Sequence, residues 1–511
     1  MILVKFFFGL IPIIWLMIAL GSMKMSGFKA CSISIIFAAV VAIFYKGMRP
    51  IDTASAFFEG VLSALWPIIL VIIAALFTYN LTLKTGAMEK IKEMLASVSS
   101  DKRILALIIG WGFGCFMEGM AGFGTAVAIP ASILIALGYE PVSTVAALLI
   151  INSTPTAFGS VGVPTTSVAS ATGIAVNIIS AGTAKMEVLL MFLSPFFLVF
   201  VIGKGFKAFK GILPILFISA TAFTLPNFLI GIFLGPELPD IIGAICSMGV
   251  TTVLALTMKQ REVPEEFRIR AEGNKKLELS VEEGLKAWSP FIIIFILLII
   301  TSKIVPVING PLSAIKSSFL IYRGEGGTPT SFSWINTPGV WIIIAAVIGG
   351  IIQGANITDI MSIFISTITK NVKTIITICS VLATAKIMVH SGMTTDVADV
   401  VATVTGSAYP LFATWVGVLG AFVTGSGTNT AVLFGPLQSA AALKIGTAPE
   451  WLISANALGA GIGKMIAPSN VALSCAAAGI AGKENIVISS VFKYVAIYAI
   501  IGGIICILVT V

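Results

Sequence analysis

Runs of about twenty apolar residues, each closed by charge or by Gly and Pro, recur along nearly the whole of this 511-residue chain. A run of that length crosses about 30 Å of hydrocarbon as a helix. In lipid only helices and closed barrels satisfy their own backbone groups, so this repetition fixes the class of fold. Twelve runs are present, near residues 6–20, 30–45, 57–83, 142–181, 187–203, 211–235, 240–257, 288–306, 339–356, 373–390, 449–481 and 488–510. The chain therefore reads as an all-α polytopic membrane protein with about 12 transmembrane helices. Charged residues make up 11% of it, against about 25% in soluble domains, which excludes a soluble enzyme. The net charge of +8 reads as basic cytoplasmic loops; no basic patch interleaved with aromatics suggests nucleic acid. Cys31, Cys115, Cys246, Cys379, Cys475 and Cys506 all lie in apolar stretches without CxxC spacing or a nearby His, as free thiols do. The apolar start, with Lys5 but no small-x-small cleavage site, reads as a retained first span.

Two more apolar segments, 103–138 and 408–446, are too glycine-rich to be ordinary spanning helices. Residues 110–138 and 417–446 together hold 13 of the 49 glycines. Broken backbone at membrane depth survives only where protein buries it or a cavity is lined by it, so both segments are expected to be re-entrant hairpins near a substrate. They also repeat each other. At an offset of 306, Gly114, Phe116, Gly119 and Pro130 align with Gly420, Phe422, Gly425 and Pro436; at 304, Asn152, Gly159 and Pro164 align with Asn456, Gly463 and Pro468. An amphipathic stripe precedes each hairpin: Met88, Ile91, Leu95 and Val98 in one half, Val397, Val400, Val401 and Val404 in the other.

The charged 258–287 segment, with seven Lys/Arg and seven Glu, is expected to be a cytoplasmic linker. Counting crossings from it leaves 20 Lys/Arg inside and 8 outside, the bias of the positive-inside rule. The hairpins then enter from opposite sides, giving an inverted-topology repeat: 1–203 with hairpin 103–138 and broken helix 142–181, connecting helices and linker over 204–287, and 288–511 with hairpin 408–446 and broken helix 449–481. Inverted repeats with discontinuous helices are secondary-transporter architecture. Sliding of the hairpin module in an elevator motion is expected by analogy.

The hairpins read WGFGCFMEGMAGFGTAVAIP (111–130) and GVLGAFVTGSGTNTAVLFGPLQ (417–438); the broken spans carry INSTPTAFGSVGVPTT (151–166) and SANALGAGIGKMIAPSN (454–470). These strings resemble the lactate permease family through EG-x-AGFG, N-x-x-P-x-AFG-x-x-G-x-P, GS-x-T…LFG-x-LQ and AN…GKMI-x-P-x-N, over about residues 57–490. The resemblance implies a plasma-membrane symporter importing L-lactate, D-lactate, glycolate or a related 2-hydroxymonocarboxylate with a proton. It also marks one departure: an acidic residue often follows the GS of the second hairpin in that family, where this chain has Gly427.

An anionic substrate is expected on physical grounds as well. Helix N-termini meeting at the breaks present unpaired N–H groups and positive dipole ends. Backbone at Gly122 and side chains of Asn152, Ser153, Thr154, Ser426, Thr428, Asn429, Ser469 and Asn470 could bind a carboxylate and a 2-hydroxyl, or merely cap the helices. Lys464 is a cation at membrane depth, costing about 3 kcal/mol even on the lenient scale; its partner is the substrate or a carboxylate such as Glu118. Glu118, the one acid in either hairpin core, is the candidate proton carrier, since substrate and proton would favour each other's binding. His390, four residues from Lys386 on one helix face, is a second proton candidate, and Asp396 and Asp399 read as a solvated face. Sodium is the alternative coupling ion, held by hairpin carbonyls and hydroxyls. An intramembrane enzyme lacks a metal-ligand cluster or an activated nucleophile here, a channel needs no paired hairpins, and there is no P-loop for ATP. Nothing points to a cofactor, and no heptad seam marks an oligomer.

Overall fold

The computed structural model describes residues 2–23, 25–122, 124–257, 263–269 and 280–510. Eleven of its helices are long and apolar enough to cross a membrane, twelve when one bent pair is counted as a span. Those at Leu3–Leu20, Gly27–Tyr45, Pro50–Lys84, Leu213–Phe233, Pro239–Thr257, Val372–His390 and Glu484–Thr510 fall where the apolar runs place them. Most present large side chains such as Phe44, Phe217, Leu225 and Val253 outward, the surface a bilayer would cover. Half of the charged 258–287 segment, residues 258–262 and 270–279, lies outside the described residues.

Both glycine-rich segments are hairpins. In the first, the limb ending in Gly114–Met120 folds back onto Thr125–Ala136, and Gly114 packs against the Ala126 carbonyl and Pro130. The turn has Gly122 and Gly124 at φ +58° and +84°, a region that glycine enters without steric cost. The descending limb, Lys102–Met120, is buried in protein along its whole length, as broken backbone requires. In the second, Tyr409–Thr424 turns at Gly425, φ +68°, into Gly427–Ile445. The structural counterpart of Gly425 is thus the Gly122–Gly124 turn. Gly119, its partner in the sequence repeat, is helical.

Each hairpin is followed by a broken helix. Pro141–Ile151 and Pro155–Thr172 are bent by 63°; Pro449–Lys464 gives way to Pro468–Ala477 across Met465–Ala467. Two expectations need correction, and two elements were unforeseen. The first broken helix ends at Thr172, not 181, because Gly173 closes it at φ +76°; the next span is one helix, Val176–Ile202. The all-α membrane fold class holds, with one unforeseen addition: Lys316–Phe319 pairs antiparallel with Thr330–Ser333, segments too short to carry a sequence signal. An unforeseen amphipathic helix, Ile357–Lys370, is capped by Asn356 and lays its Ile360–Thr367 face on Leu70–Lys84. In the second surface helix, Met393–Thr405, Val404 is exposed; Val397, Ala398 and Val400 form the buried face. The first, Ala87–Ala96, buries Met88, Ile91 and Leu95 as expected.

Packing sorts the helices into two groups. Gly27–Val40, Pro50–Ser63, Leu70–Lys84, Val281–Thr301, Pro338–Ile352 and Val372–His390 lie against one another. The hairpins, the broken helices, Val176–Ile202, Leu213–Phe233, Pro239–Thr257 and Glu484–Thr510 form the other group. Within it, glycines bring backbones together as small residues do in membranes: Gly417 meets the Asn456 carbonyl, Gly459 the Thr414 carbonyl, and Gly461 the Ser153 carbonyl of the other half. A side chain at Gly459 would collide with backbone that cannot swing aside. Gly459→Val is expected to destabilise the protein by about 1–3 kcal/mol or prevent its accumulation. Gly249→Ala, whose added methyl meets nothing within 4 Å, should leave the melting temperature in detergent unchanged or higher.

Candidate functional site

The two hairpin tips and the two helix breaks meet around a cavity of about 70 Å³. Its wall is made of Glu118 and Gly124 from the first hairpin, Thr156, Gly159, Ser160 and Pro164 from the first break, Gly425–Thr428 from the second hairpin, and Lys464 and Asn470 from the second break. Four helices start at or beside this wall: those beginning at Thr125, Gly427 and Pro468, and the right-handed helix that begins at Val163, just past the left-handed residues Ser160–Gly162. Their first N–H groups have no intrahelical acceptor and carry the positive end of the dipole, so the cavity favours an anion.

At one side lies an ion pair between the halves. Lys464 Nζ donates to Glu118 Oε1 at 2.8 Å and to Thr156 Oγ1 at 3.0 Å. Thr156 in turn donates to the Asn152 carbonyl at 2.9 Å. Glu118 is 3% exposed and Lys464 9%, so each charge depends on the other. Two of the three ammonium donors are used, and Glu118 Oε2 has no hydrogen-bond partner among the described residues. Close packing holds the pair: Gly159 leaves no room for a side chain, since an added Cβ would lie 2.8 Å from Glu118 Oε1. Gly427 likewise backs onto Thr156, where an added Cβ would stand 2.6 Å from Cγ2. The first break is strained, with Ser160 and Val161 at φ +47° and +57°. A β-branched residue there costs about 1–3 kcal/mol and persists only where its surroundings enforce it; the Pro236 carbonyl packed on Gly162 is one such restraint.

The structure gathers some of the expected residues and disperses others. Glu118, Ser426, Thr428, Lys464 and Asn470 line the cavity, and the Asn470 amide nitrogen has no partner. Gly122 and Ser469 sit at the margin: a Cβ on Gly122 would meet Ser160 Oγ, and one on Gly425 would meet Ser469 Oγ, so each tip rests on the break of its own half. Asn429 contributes its N–H to the Ser426 cap at 3.2 Å. Ser153 and Thr154 turn away, bonding to Ile150 O and to Ser194 Oγ. Asn152 is buried with Oδ1 unpartnered, outside the lining.

His390 belongs to a separate cluster. Its Nε2 lies 2.7 Å from Glu59 Oε2, Lys386 holds the other Glu59 oxygen at 2.8 Å, and Tyr322 stacks on the imidazole at 3.6 Å. Asp396 and Asp399 are each paired, with Lys46 and Lys444. Sequence reasoning missed Thr156, Gly159, Ser160 and Glu59. The first three stand inside the NSTPTAFGS string, whose meaning appears only once Lys464 is placed beside it.

Two hairpins and two broken helices closing on a buried, anion-favouring cavity in a polytopic helical protein define a membrane transporter, not an enzyme. The L-lactate permease family model matches residues 5–511, and the chain belongs to that family. The L-lactate permease of Streptococcus iniae is 40% identical over 87% of this chain and 92% of its own length. Glycolate permease GlcA of Escherichia coli is 34% identical over 98% and 94%, and the L-lactate permease of Bacillus subtilis 32% over 93% and 91%. Among solved structures, MtrF of Neisseria gonorrhoeae, described as one of a class of antimetabolite efflux pumps, superposes with a TM-score of 0.53 at 14% identity, covering 96% of both chains. The YdaH transporter of Alcanivorax borkumensis gives 0.50 at 14% identity over 89% and 87%; at such identities the likeness speaks for the fold alone.

If the ion pair is the structural core of the site, removing one member should cost more than removing both. Lys464→Met is expected to destabilise by about 3–5 kcal/mol, as for other broken buried pairs. The double variant Glu118→Gln/Lys464→Met should recover most of that loss in thermal unfolding of detergent-solubilised protein.

Proposed function

We propose that this protein carries L-lactate, glycolate or a related small 2-hydroxymonocarboxylate across the plasma membrane by proton symport. The observation that carries the reading is the Lys464–Glu118 pair beside four helix N-termini; the names of the relatives supply the substrate class. A carboxylate entering the cavity competes with Glu118 for Lys464 and meets the N-terminal N–H groups at Gly427 and at Ser469, which follows the N–H-less Pro468. The hydroxyls of Thr156, Ser160, Ser426 and Thr428 and the Asn470 amide are within the same wall to receive a 2-hydroxyl. Once its counter-ion is shared with the substrate, Glu118 is a buried carboxylate beside a second one, and two such charges do not both stay ionised. Glu118 takes a proton, and substrate and proton stabilise each other's binding; that reciprocal coupling is symport.

In this reading the halves are inverted repeats, 1–203 and 288–511, joined through 204–287 with its charged linker in the cytoplasm. The hairpin group slides along the Pro50–Lys84 and Val372–His390 helices to expose the cavity to each side in turn. His390, tied to Glu59 and Tyr322, is assigned to holding the outer part of those helices together, and the proton to Glu118.

Purified protein in lipid vesicles, given a pH gradient or a sodium gradient separately, tests the proposal. Lactate accumulation driven by the pH gradient is expected. Accumulation with sodium alone would replace the coupling ion, and accumulation with neither would refute coupled symport. Glu118→Gln should retain lactate counterflow and lose pH-driven accumulation; unchanged accumulation would remove Glu118 from the mechanism.

A further inference from the structure

Two more acids lie buried behind Glu118 without a cation of their own. Asp240, in the first turn of Pro239–Thr257, and Glu187, in the middle of Val176–Ile202, are each 1% exposed. Asp240 Oδ1 accepts a hydrogen bond from Asn227 Nδ2 at 2.9 Å, while Oδ2 has no partner among the described residues. Neither oxygen of Glu187 has one among them. An ionised carboxylate in such a place costs several kcal/mol unless paired, and the usual outcome is the neutral acid. The nearest lysine in electrostatic reach of Asp240 is Lys464, already committed to Glu118.

The three acids follow one another through the protein. Gly119, beside Glu118 in sequence, packs so closely on Asp240 that an added Cβ would stand 2.9 Å from the Asp240 Cβ. Asp240 is within electrostatic reach of both Glu118 and Glu187. The charged or titratable groups facing them are Glu118 and Cys115 from Gly114–Met120 and Lys464 from Pro449–Lys464. Among the described residues no three acidic, His or Cys side chains converge closely enough to hold a metal ion. The α-carbon trace continues from Asp240 to Glu237, which lines a cavity of about 360 Å³ with Asn177, Lys303 and Trp341 at the N-terminal end of Pro239–Thr257. There burial pushes the Glu237 carboxyl up to about 7, with Lys303 opposing the rise.

We propose that Asp240 and Glu187 are held as protonated carboxylic acids and form a proton store that loads Glu118 when substrate takes over Lys464. The inference rests on the symport reading above. In the transfer the Asp240 Oδ2–H bond breaks and a Glu118 Oε2–H bond forms. The new Asp240 carboxylate keeps its Asn227 hydrogen bond and regains a proton from Glu187, or from the Glu237 side. Charge moves by one proton at each step, and no other reactant is consumed.

The test uses the full chain in lipid vesicles with a pH-sensitive dye inside and an inward L-lactate gradient, together with infrared spectra of the same protein at neutral pH. Wild-type protein should admit protons with lactate and show the carbonyl band of protonated carboxylic acid, weakened in Glu187→Gln. The ratio of proton flux to lactate counterflow should fall by about 10²-fold in Asp240→Asn and Glu187→Gln, the low end for loss of a positioned proton-transfer group. Variants that keep the wild-type ratio would overturn the store, as would a wild-type spectrum without the acid band, which needs no variant to fold. Wild-type vesicles in which lactate moves no protons would instead overturn symport, and the infrared band would still decide whether the two acids are protonated.

Discussion

A lysine at the crossing of two broken helices is tolerable in a membrane protein only if something negative meets it, and here a carboxylate from the other half of the chain does. The 2.8 Å contact of Lys464 with Glu118 ties the second broken helix to the first hairpin, and through Thr156 to the first break. Much of the local architecture serves that contact. Gly159 and Gly427 are bare because any side chain would strike Glu118 or Thr156. The strained turn at Ser160–Val161 brings the first break against the tip of the first hairpin, where Ser160 Oγ bonds to the Ala121 carbonyl. Buried ion pairs are weak sources of stability, because desolvation offsets most of the Coulomb gain. In the proposed mechanism a pair kept at this expense where helix N-termini meet is a contact that an incoming anion opens.

Switching needs a body that can move. Contacts inside the hairpin group are backbone-close, glycine against carbonyl at Gly417, Gly459 and Gly461, which makes that group stiff. Its border with the other helices runs where Leu70–Lys84 meets Gly159–Thr172 and Val372–His390 meets Gly427–Ile445. In the proposed motion a stiff unit sliding along that border carries the cavity with it and leaves the Lys464–Glu118 geometry intact.

Much of this was legible in the sequence, for physical reasons. Spans are legible because hydrocarbon imposes a length and a polarity on each helix independently of its neighbours. Hairpins are legible because glycine density inside an apolar run has few other uses. Legibility fails where a residue's role depends on what faces it. Ser153 and Thr154 share the composition of true cavity residues, yet their hydroxyls are spent on Ile150 and Ser194. Glu59, Glu187 and Asp240 stand at or near the ends of apolar runs, where a charge reads as interfacial; only the fold shows them buried. The 172–176 boundary was hidden because Gly173 interrupts a run whose hydropathy continues on both sides, so composition there could not separate one span from the next.

Gly427 joins these strands of the argument. The family resemblance would put an acidic residue at this position, a natural seat for ion coupling, and this chain has none. The structure supplies the reason: the α-carbon of Gly427 lies against the methyl of Thr156, and Thr156 is the second ligand of Lys464. A carboxylate at 427 would displace Thr156 and offer Lys464 a competing partner, so in this geometry the acid at 427 and the Lys464–Thr156–Glu118 triad exclude each other. With the hairpin tip bare, the acid available to the substrate's counter-ion is Glu118, approached from behind by Asp240 rather than from the second hairpin. In the proposed symport the negative charge that couples transport has one position, Glu118 on the first half of the chain, and the cation it answers to has the other, Lys464 on the second.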